Sequence, residues 1–411
     1  MEKIAIIGAG ASGIMAAMVA KNKNNSIDLY EKNSSIAKKI RASGNGRCNI
    51  TNRNITKYDY FGNNLDFLEY GLREFDFFKF EKLCNNMGLY LSVQDDGKVY
   101  PCSFESASVV KIFEEKLDEK GINISLKSEI IDITKQKDKF MLQKSDKSIK
   151  FYDKVLISTG SKAASKLGGN SFGEKIAKKF GHHLFPSYPS LVQLETKERE
   201  VIRLSGVKIW AKVTLHSKID KDISILGDVL FTRYGLSGFA ILDISPFVSK
   251  LLLENKEVIL SIDMLPKFSV QMLQSILIKS CKNNPNSSFE TILLGLLPQK
   301  VANNISFKLG FKSKKMKDLS LKDIKKSVYA IKDCRYSIKD THGYEYAEVC
   351  GGGIDTLQID PKSLESKLVK NLYFLGESLD IVGKRGGYNL AFAWMSGYLA
   401  GRGINPNKER D

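Results

Sequence analysis

The constraint that most narrows the fold is a glycine spacing near the start of the chain. Gly8-Ala9-Gly10-Ala11-Ser12-Gly13 stands between a β-branched run, Lys3-Ile4-Ala5-Ile6-Ile7, and an alanine-rich helical stretch from Ala11 to Ala20. A strand, a turn and a helix in that order give G-x-G-x-x-G physical meaning. Gly8 permits the tight turn, Gly10 lets the backbone approach a pyrophosphate, and Gly13 lets helix and strand pack closely, with phosphate held by N–H groups of Ala11 and Ser12 at the helix N-terminus. A second strand, Ile27-Asp28-Leu29-Tyr30, ends in Glu31 and Lys32. An acidic residue at that point accepts ribose hydroxyls and argues against a 2′-phosphate. The alternative is a plain tight turn in an ordinary α/β protein.

More than 360 residues later the chain answers this block with Gly376-Glu377 and Gly386-Gly387-Tyr388-Asn389. Leu372-Tyr373-Phe374-Leu375 reads as a last parallel strand and Tyr388 to Leu399 as a closing helix, so one nucleotide site is expected from both chain ends. Between them, Lys38-Lys39-Ile40-Arg41-Ala42-Ser43-Gly44-Asn45-Gly46-Arg47-Cys48-Asn49-Ile50-Thr51-Asn52 is too small and polar to build core. Its glycines suit a backbone wrapped round a ligand, and Lys38, Lys39, Arg41 and Arg47 supply positive charge. The alternative there is a solvated basic loop.

These blocks resemble the FAD-dependent oxidoreductases that include BaiN-like flavoproteins and proteins labelled aminoacetone oxidase. The resemblance rests on Gly8 to Gly13, Ser43 to Asn52, Ser158-Thr159-Gly160, Phe231 to Gly238, Gly351-Gly352-Gly353-Ile354, Phe374 to Asp380 and Gly386 to Asn389, in family order over nearly the whole chain. It implies FAD bound by Gly8, Gly10, Ala11, Ser12, Gly13, Glu31, Lys32, Lys39, Ser43, Gly44, Gly46, Arg47, Cys48, Asn49, Thr51, Ile131, Thr159, Gly160, Gly376, Glu377, Asp380, Gly386, Gly387, Tyr388 and Asn389. Asp380 would accept ribitol hydroxyls. The closing helix would aim its positive dipole end at the N1/C2=O edge of the flavin, where negative charge collects on reduction. The departures are Phe239, where relatives commonly carry Pro, and Arg233, where a His or a neutral residue is expected; both bear on the substrate cleft.

The implied fold class is α/β: a glutathione-reductase-like Rossmann FAD-binding domain, with an inserted β-rich domain carrying a small helical subdomain. Residues 1–189 and 346–411 form the FAD domain, 190–268 and 331–345 the β-rich substrate domain, and 269–330 the helical insert. Within the first domain, Phe61 to Asn86 reads as helical, a hairpin surrounds Asp95-Asp96-Gly97, and Glu105 to Lys120 is amphipathic with Gly121 as its stop. Ser128 to Thr134, Lys139 to Gln143 and Lys150 to Tyr152 read as a β meander, and Val155-Leu156-Ile157-Ser158 returns to the parallel sheet. In the second, Leu191 to Leu194, Gly206 to His216, Ile223 to Phe231, Val258 to Met264 and Arg335 to Ile338 read as strands. Ser269 to Tyr329 reads as three or four lysine-rich helices broken at Pro285 and Pro298.

No second strand-GxGxxG-helix unit occurs, so NAD(P)H is expected only as a transient electron donor. The reading is an FAD-dependent oxidoreductase that moves hydride between a small organic substrate, or NAD(P)H, and flavin N5. Cys48, Tyr234 and Glu348 are the catalytic candidates; Arg47, Cys350, Lys384 and Tyr388 join them on the substrate face. Cys48 and Cys350 are either reactive thiols or small packing residues. The six cysteines lack a C-x-x-C and the four histidines are scattered, so neither a metal site nor a disulfide framework is expected.

The net charge of +17 comes from 52 Lys and 11 Arg against 46 acidic residues. Spread along the chain, that excess does not point to nucleic acid, which is not expected as a partner. No apolar run approaches the length of a spanning helix, and strand formation begins at once, so a soluble cytoplasmic protein is expected. Two other readings stand beside the main one: a flavoprotein acting on or with RNA through the surface around Lys308 to Lys326, and a flavin-binding protein without its own turnover. Oligomeric state has no sequence signal.

Overall fold

The structure is a computed structural model that describes residues 1–216 and 222–405. The chain divides into two compact units, one formed by residues up to Tyr188 together with those from Glu348 onward, the other by Pro189–Ala347.

The first unit is built on a five-stranded parallel sheet in the order Leu372–Phe374, Lys154–Ile157, Glu2–Ile7, Asn25–Tyr30, Asn123–Ser125. Ile4, Ala5 and Ile6 have no exposed surface, as expected of a central strand covered on both faces. The helices Ala11–Ala20 and Tyr388–Ile404 lie against each other. They approach so closely that a Cβ on Gly397 would stand 2.3 Å from the Ser12 carbonyl oxygen. The meander forms three antiparallel strands, Ile130–Gln136, Lys139–Lys144 and Ile149–Tyr152. Phe61 to Asn86 holds two helices, Phe67–Glu74 and Phe77–Asn86. They part at Asp76, whose carboxylate caps the second by accepting from the Lys79 N–H at 2.9 Å.

Two strands here escape sequence reading. Leu184–Ser190 pairs with Val349–Ile354 in a two-stranded sheet, although the first carries two prolines and the second three glycines. The glycines are explained by closeness: a Cβ on Gly351 would stand 2.2 Å from the Tyr188 ring.

The second unit is a closed six-stranded barrel in the order Leu194–Thr196, Gly235–Ser237, Ile223–Phe231, Lys208–Leu215, Val258–Asp263, Cys334–Thr341. Four helices follow the fifth strand: Val270–Asn283, Phe289–Leu294, Gln299–Leu309 and Leu321–Lys332. They share one core with the barrel, through Leu273, Leu277, Phe289, Val301 and Ile331. The strand expected over Leu191 to Leu194 instead begins at Leu194. An unexpected helix, Phe239–Leu253, packs on the barrel with Pro246 inside it. Proline removes one rung of the helical ladder. The Leu242 carbonyl, which loses that N–H donor, accepts from the Ser245 hydroxyl at 2.8 Å. Among the described residues no helix is long and apolar enough to cross a membrane.

Candidate functional site

The three fingerprint glycines do three different jobs. A Cβ on Gly13 would lie 2.0 Å from the Gly8 carbonyl oxygen, and one on Gly8 would lie 2.4 Å from the Ser158 carbonyl oxygen, so both positions exclude a side chain. Around Gly10, by contrast, a Cβ would meet nothing within 4 Å. Gly10 is also the N-cap of helix Ala11–Ala20 and offers no side-chain acceptor to the first N–H groups of that helix. A glycine-started helix of this kind suits an anion held by backbone N–H groups.

Glu31 ends the second strand nearly buried. Its Oε2 accepts from the Ala9 N–H at 3.0 Å and its Oε1 from the Asn33 backbone and side chain at 2.8 and 2.7 Å. Three donors leave one of a carboxylate's four acceptor positions for a sugar hydroxyl. Lys32 beside it is half-buried and Ile131, in the irregular opening of the meander, is exposed.

From the next strand, the Ser158 hydroxyl contacts the carbonyls of Ile7 and Gly8 at 2.9 and 2.7 Å. The Thr159 Oγ1 that follows is buried with no partner. Gly160 faces Glu377, whose Oε1 accepts from the Ser161 hydroxyl at 2.6 Å and the Cys350 N–H at 3.1 Å. Its Oε2 pairs with Lys39 at 2.8 Å. Lys39, read as a cation for phosphate, is thus held by a carboxylate.

The segment read as too polar for core is corrected. Lys38–Ala42 is a short helix and Ser43–Gly46 a tight turn, but Cys48, Ile50, Thr51 and Asn52 are buried. Thr51–Asn52 adds a third strand to the hairpin Leu91–Val93 and Lys98–Pro101. The polar groups are accommodated by pairing: the Ile50 N–H donates to the Val99 carbonyl at 2.9 Å, and Asn52 Nδ2 to the Gly386 carbonyl at 3.0 Å. Ser43 and Asn49 are half-buried, while Gly44 and Arg47 are exposed. Burial pushes the Cys48 thiol up to about 11. A thiol so held suits packing and not the nucleophile considered for it. Cys350 is likewise buried, its thiol raised to about 11 first by burial and then by Glu377.

The closing loop interlocks with this segment. Gly387 has φ +98°, and a Cβ there would stand 2.2 Å from the Thr51 carbonyl oxygen. It is the N-cap of helix Tyr388–Ile404 and offers no side-chain acceptor to that helix's first N–H groups. The Asn389 amide is spent on Gly383, accepting its N–H at 2.7 Å and donating to its carbonyl at 2.9 Å. Tyr388 is half-buried, and its carbonyl accepts from the Tyr60 hydroxyl at 3.0 Å. Gly376 donates to Ser396 Oγ at 3.0 Å and abuts the Ser12 hydroxyl, which joins the two glycine blocks. Asp380 is buried, and its Oδ2 accepts from the Asn63 backbone and side chain at 2.9 and 2.8 Å. Lys384 pairs with Asp59 at 3.0 Å.

The open space at Gly10, the two glycine-started helices and the orphaned Thr159 hydroxyl fit a long ligand with a central anion. A family model described as the HI0933-like protein Rossmann domain matches residues 2–403. The chain belongs to this family of FAD-dependent oxidoreductases. It is 32% identical to a 3-dehydro-bile acid delta(4,6)-reductase of Clostridium scindens, over 98% of both chains. It is 30% identical to a ribosomal RNA dihydrouridine synthase of Haemophilus influenzae, over 97% of this chain and 98% of the other. Among solved structures, a 3-ketosteroid-delta4-(5alpha)-dehydrogenase from Rhodococcus jostii is 10% identical with a TM-score of 0.49, over 98% of this chain and 97% of the other.

The remaining candidates lie apart in the chain. Glu348 is exposed at the start of the returning segment of the first unit. Tyr234 belongs to the second unit, where its ring stacks on His342 at 3.9 Å and 6°. His342 Nδ1 meets Glu195 Oε1 at 3.1 Å, and Tyr346 covers the imidazole at 4.3 Å. Sequence reading missed Glu195 and His342. They are 147 residues apart, and no local motif joins them.

Proposed function

We propose that this protein reduces a carbon–carbon double bond conjugated to a carbonyl group, with NAD(P)H as transient electron donor. The observation that supports it is the pair of helices in one unit that start from glycine, at Gly10 and Gly387, which suits a dinucleotide whose redox ring gains negative charge. Bound FAD supplies hydride transfer at N5. The chain's own residues do the rest. Gly10, Ala11 and Ser12 hold the pyrophosphate, Glu31 the ribose, Asp380 the ribitol, and the N–H groups after Gly387 stabilise charge on the ring. Lys39 and Glu377, locked together, fix the wall beside Gly160.

Both relatives' names describe the same change. A delta(4,6)-reductase and a dihydrouridine synthase each add two hydrogens across a double bond, one as hydride and one as a proton. Tyr234 is the proposed proton source. Burial holds its hydroxyl above the ordinary phenol range, so it stays protonated at neutral pH. Glu348 is its alternative.

The test is anaerobic reduction of the purified protein by NADPH or NADH, followed by an α,β-unsaturated ketone. Rapid bleaching and rapid return of the flavin colour with the enone, but not with its saturated analogue, is expected. A flavin that no nicotinamide reduces, or that the enone leaves reduced, rejects the proposal.

A second reading places the double bond in a uridine of RNA. It is favoured by the positive charge of the helices in the second unit. Dihydrouridine formed in a ribosomal RNA fragment, measured by mass, would decide for it.

A further inference from the structure

The charge excess is not evenly spread. Residues 269–332 hold twelve lysines and only three acidic residues, Glu290, Asp318 and Asp323, so this stretch contributes +9 of the chain's +17. The structure gathers part of that excess on one face. Helix Leu321–Lys332 buries Ile324, Ser327, Val328 and Ile331 against its unit, which leaves Lys322, Lys325, Lys326 and Tyr329 outward at i, i+3, i+4 and i+7. The preceding segment is anchored by buried Phe311 and Met316 and presents exposed Lys312, Lys315 and Lys317. Lys314 pairs with Asp323 at 3.1 Å and ties this segment to the first turn of the helix. Among the described residues, none of the six exposed lysines is paired with a carboxylate, whereas Lys308, Lys314 and Lys332 are. Tyr329 is 58% exposed amid the stripe, its hydroxyl bonded to the Asp333 carboxylate.

We propose that this face, Lys312 to Tyr329, is a docking surface for the phosphate backbone of RNA. Six unneutralised ammonium groups on two segments tied together offer repeated point charges to a polyanion, and an exposed aromatic among them offers a stacking platform for an unpaired base. A lipid surface would call instead for a broad apolar face opposite the lysines, and that side of the helix is buried in its own core. The proposal builds on the second reading above, yet it concerns binding alone. It can fail while double-bond reduction stands, and the reverse.

The experiment uses the full-length holoprotein and a fluorescein-labelled RNA hairpin with an unpaired loop, titrated at several salt concentrations. The comparison is between wild type, the triple variant K322E/K325E/K326E, Tyr329→Ala and a control reversal on another helix, K111E/K120E. The triple variant is expected to bind about tenfold more weakly, with a log–log salt slope lower by about 2. Tyr329→Ala should weaken binding several-fold with its slope unchanged. Equal flavin content and equal reduction by NADPH show that each variant is folded. Unchanged RNA binding by the triple variant overturns the proposal, as does an equal loss in the control. Binding to vesicles with anionic lipid that depends on these lysines, with none to RNA, also overturns it.

Discussion

Trp394 Nε1 donates a 2.9 Å hydrogen bond to the carbonyl of Ile50. This ties the middle of the closing helix to a segment 344 residues earlier. Both residues are fully buried, and the indole is stacked between Phe80 and Phe113 at 5.9 and 5.2 Å. Trp394→Phe keeps an aromatic ring but leaves the carbonyl without that donor, at a cost of about 1–3 kcal/mol. Because Ile50 adjoins Asn49 and Thr51, which abut Gly387, loss of bound FAD should accompany the loss of stability. Denaturant midpoints and flavin content read the two effects. An unchanged midpoint would mean that the bond contributes nothing.

Gly10 and Gly13 make opposite predictions. Gly13→Ala forces a methyl into the Gly8 carbonyl, which is backbone and cannot turn aside, so both folding stability and FAD retention should fall. Gly10→Ala meets no protein atom and has an ordinary extended backbone, so its stability should stay within about 1 kcal/mol of wild type. Its bound FAD should nonetheless be lost, because the methyl occupies the space assigned to pyrophosphate. Thermal melting and flavin absorbance of both variants check this. A Gly10→Ala protein that retains full FAD would place the pyrophosphate elsewhere.

The parts legible in the sequence are those whose signal is local. Ile4 to Gly13 shows its strand, turn and helix within ten residues, and the doubly wound parallel sheet follows from it. Where a partner far along the chain decides, the reading failed. Gly351 to Gly353 carries no local strand signal, and the ring that explains Gly351, Tyr188, lies more than 160 residues earlier. Cys48 to Asn52 looks like a ligand wrap because its cover, Trp394 and the Val99 strand, comes later. Phe239–Leu253 was hidden by Pro246, whose freed carbonyl is satisfied by a serine hydroxyl that sequence alone does not orient. His342 gave no signal at all, since Tyr234 and Glu195 reach it only through the barrel.

Cys48 should be slow to alkylate in the native state. With its thiol raised to about 11 and no exposed surface, about one molecule in a thousand carries thiolate at pH 8, and reagent cannot reach it. Exposed Cys102 is expected to react first with iodoacetamide. Cys48→Ala should keep flavin reduction by NADPH within about twofold, at a stability cost of about 1 kcal/mol. Peptide mapping after brief labelling, together with stopped-flow reduction, tests both statements. A strong loss of reduction rate with bound FAD intact would return Cys48 to the chemistry.

His182 gives the first unit a defined acid sensitivity. The ring is buried against Phe374 at 4.9 Å, with Nδ1 facing the Ala177 carbonyl at 3.2 Å and Nε2 facing Ser366 Oγ at 2.8 Å. A carbonyl only accepts, so Nδ1 carries the proton and Nε2 accepts from the Ser366 hydroxyl. That hydroxyl oxygen is already the acceptor for the N–H groups of Leu368 and Val369 at 3.1 and 2.9 Å, so its proton is free to point at the ring. A second ring proton would face the serine hydroxyl proton in a desolvated place, and burial accordingly lowers the His182 pKa below 6.5. The unfolded chain, with the ordinary value, then binds more protons than the native state as pH falls through about 6.5. Stability from neutral His182 is therefore complete above that pH and declines below it, down to the depressed native pKa. Carboxylates held low, such as Asp28 and Asp59, contribute only near and below their ordinary value of 3.8, outside this window. His182→Phe removes the titration and keeps a ring against Phe374, and the Ala177 carbonyl still accepts from the residue 182 N–H. The variant should start about 1 kcal/mol less stable at pH 7.5 and lose less than wild type on acidification to pH 5. Urea midpoints at the two pH values make the comparison. Parallel losses in both proteins would show that His182 is not the group whose protonation weakens the fold.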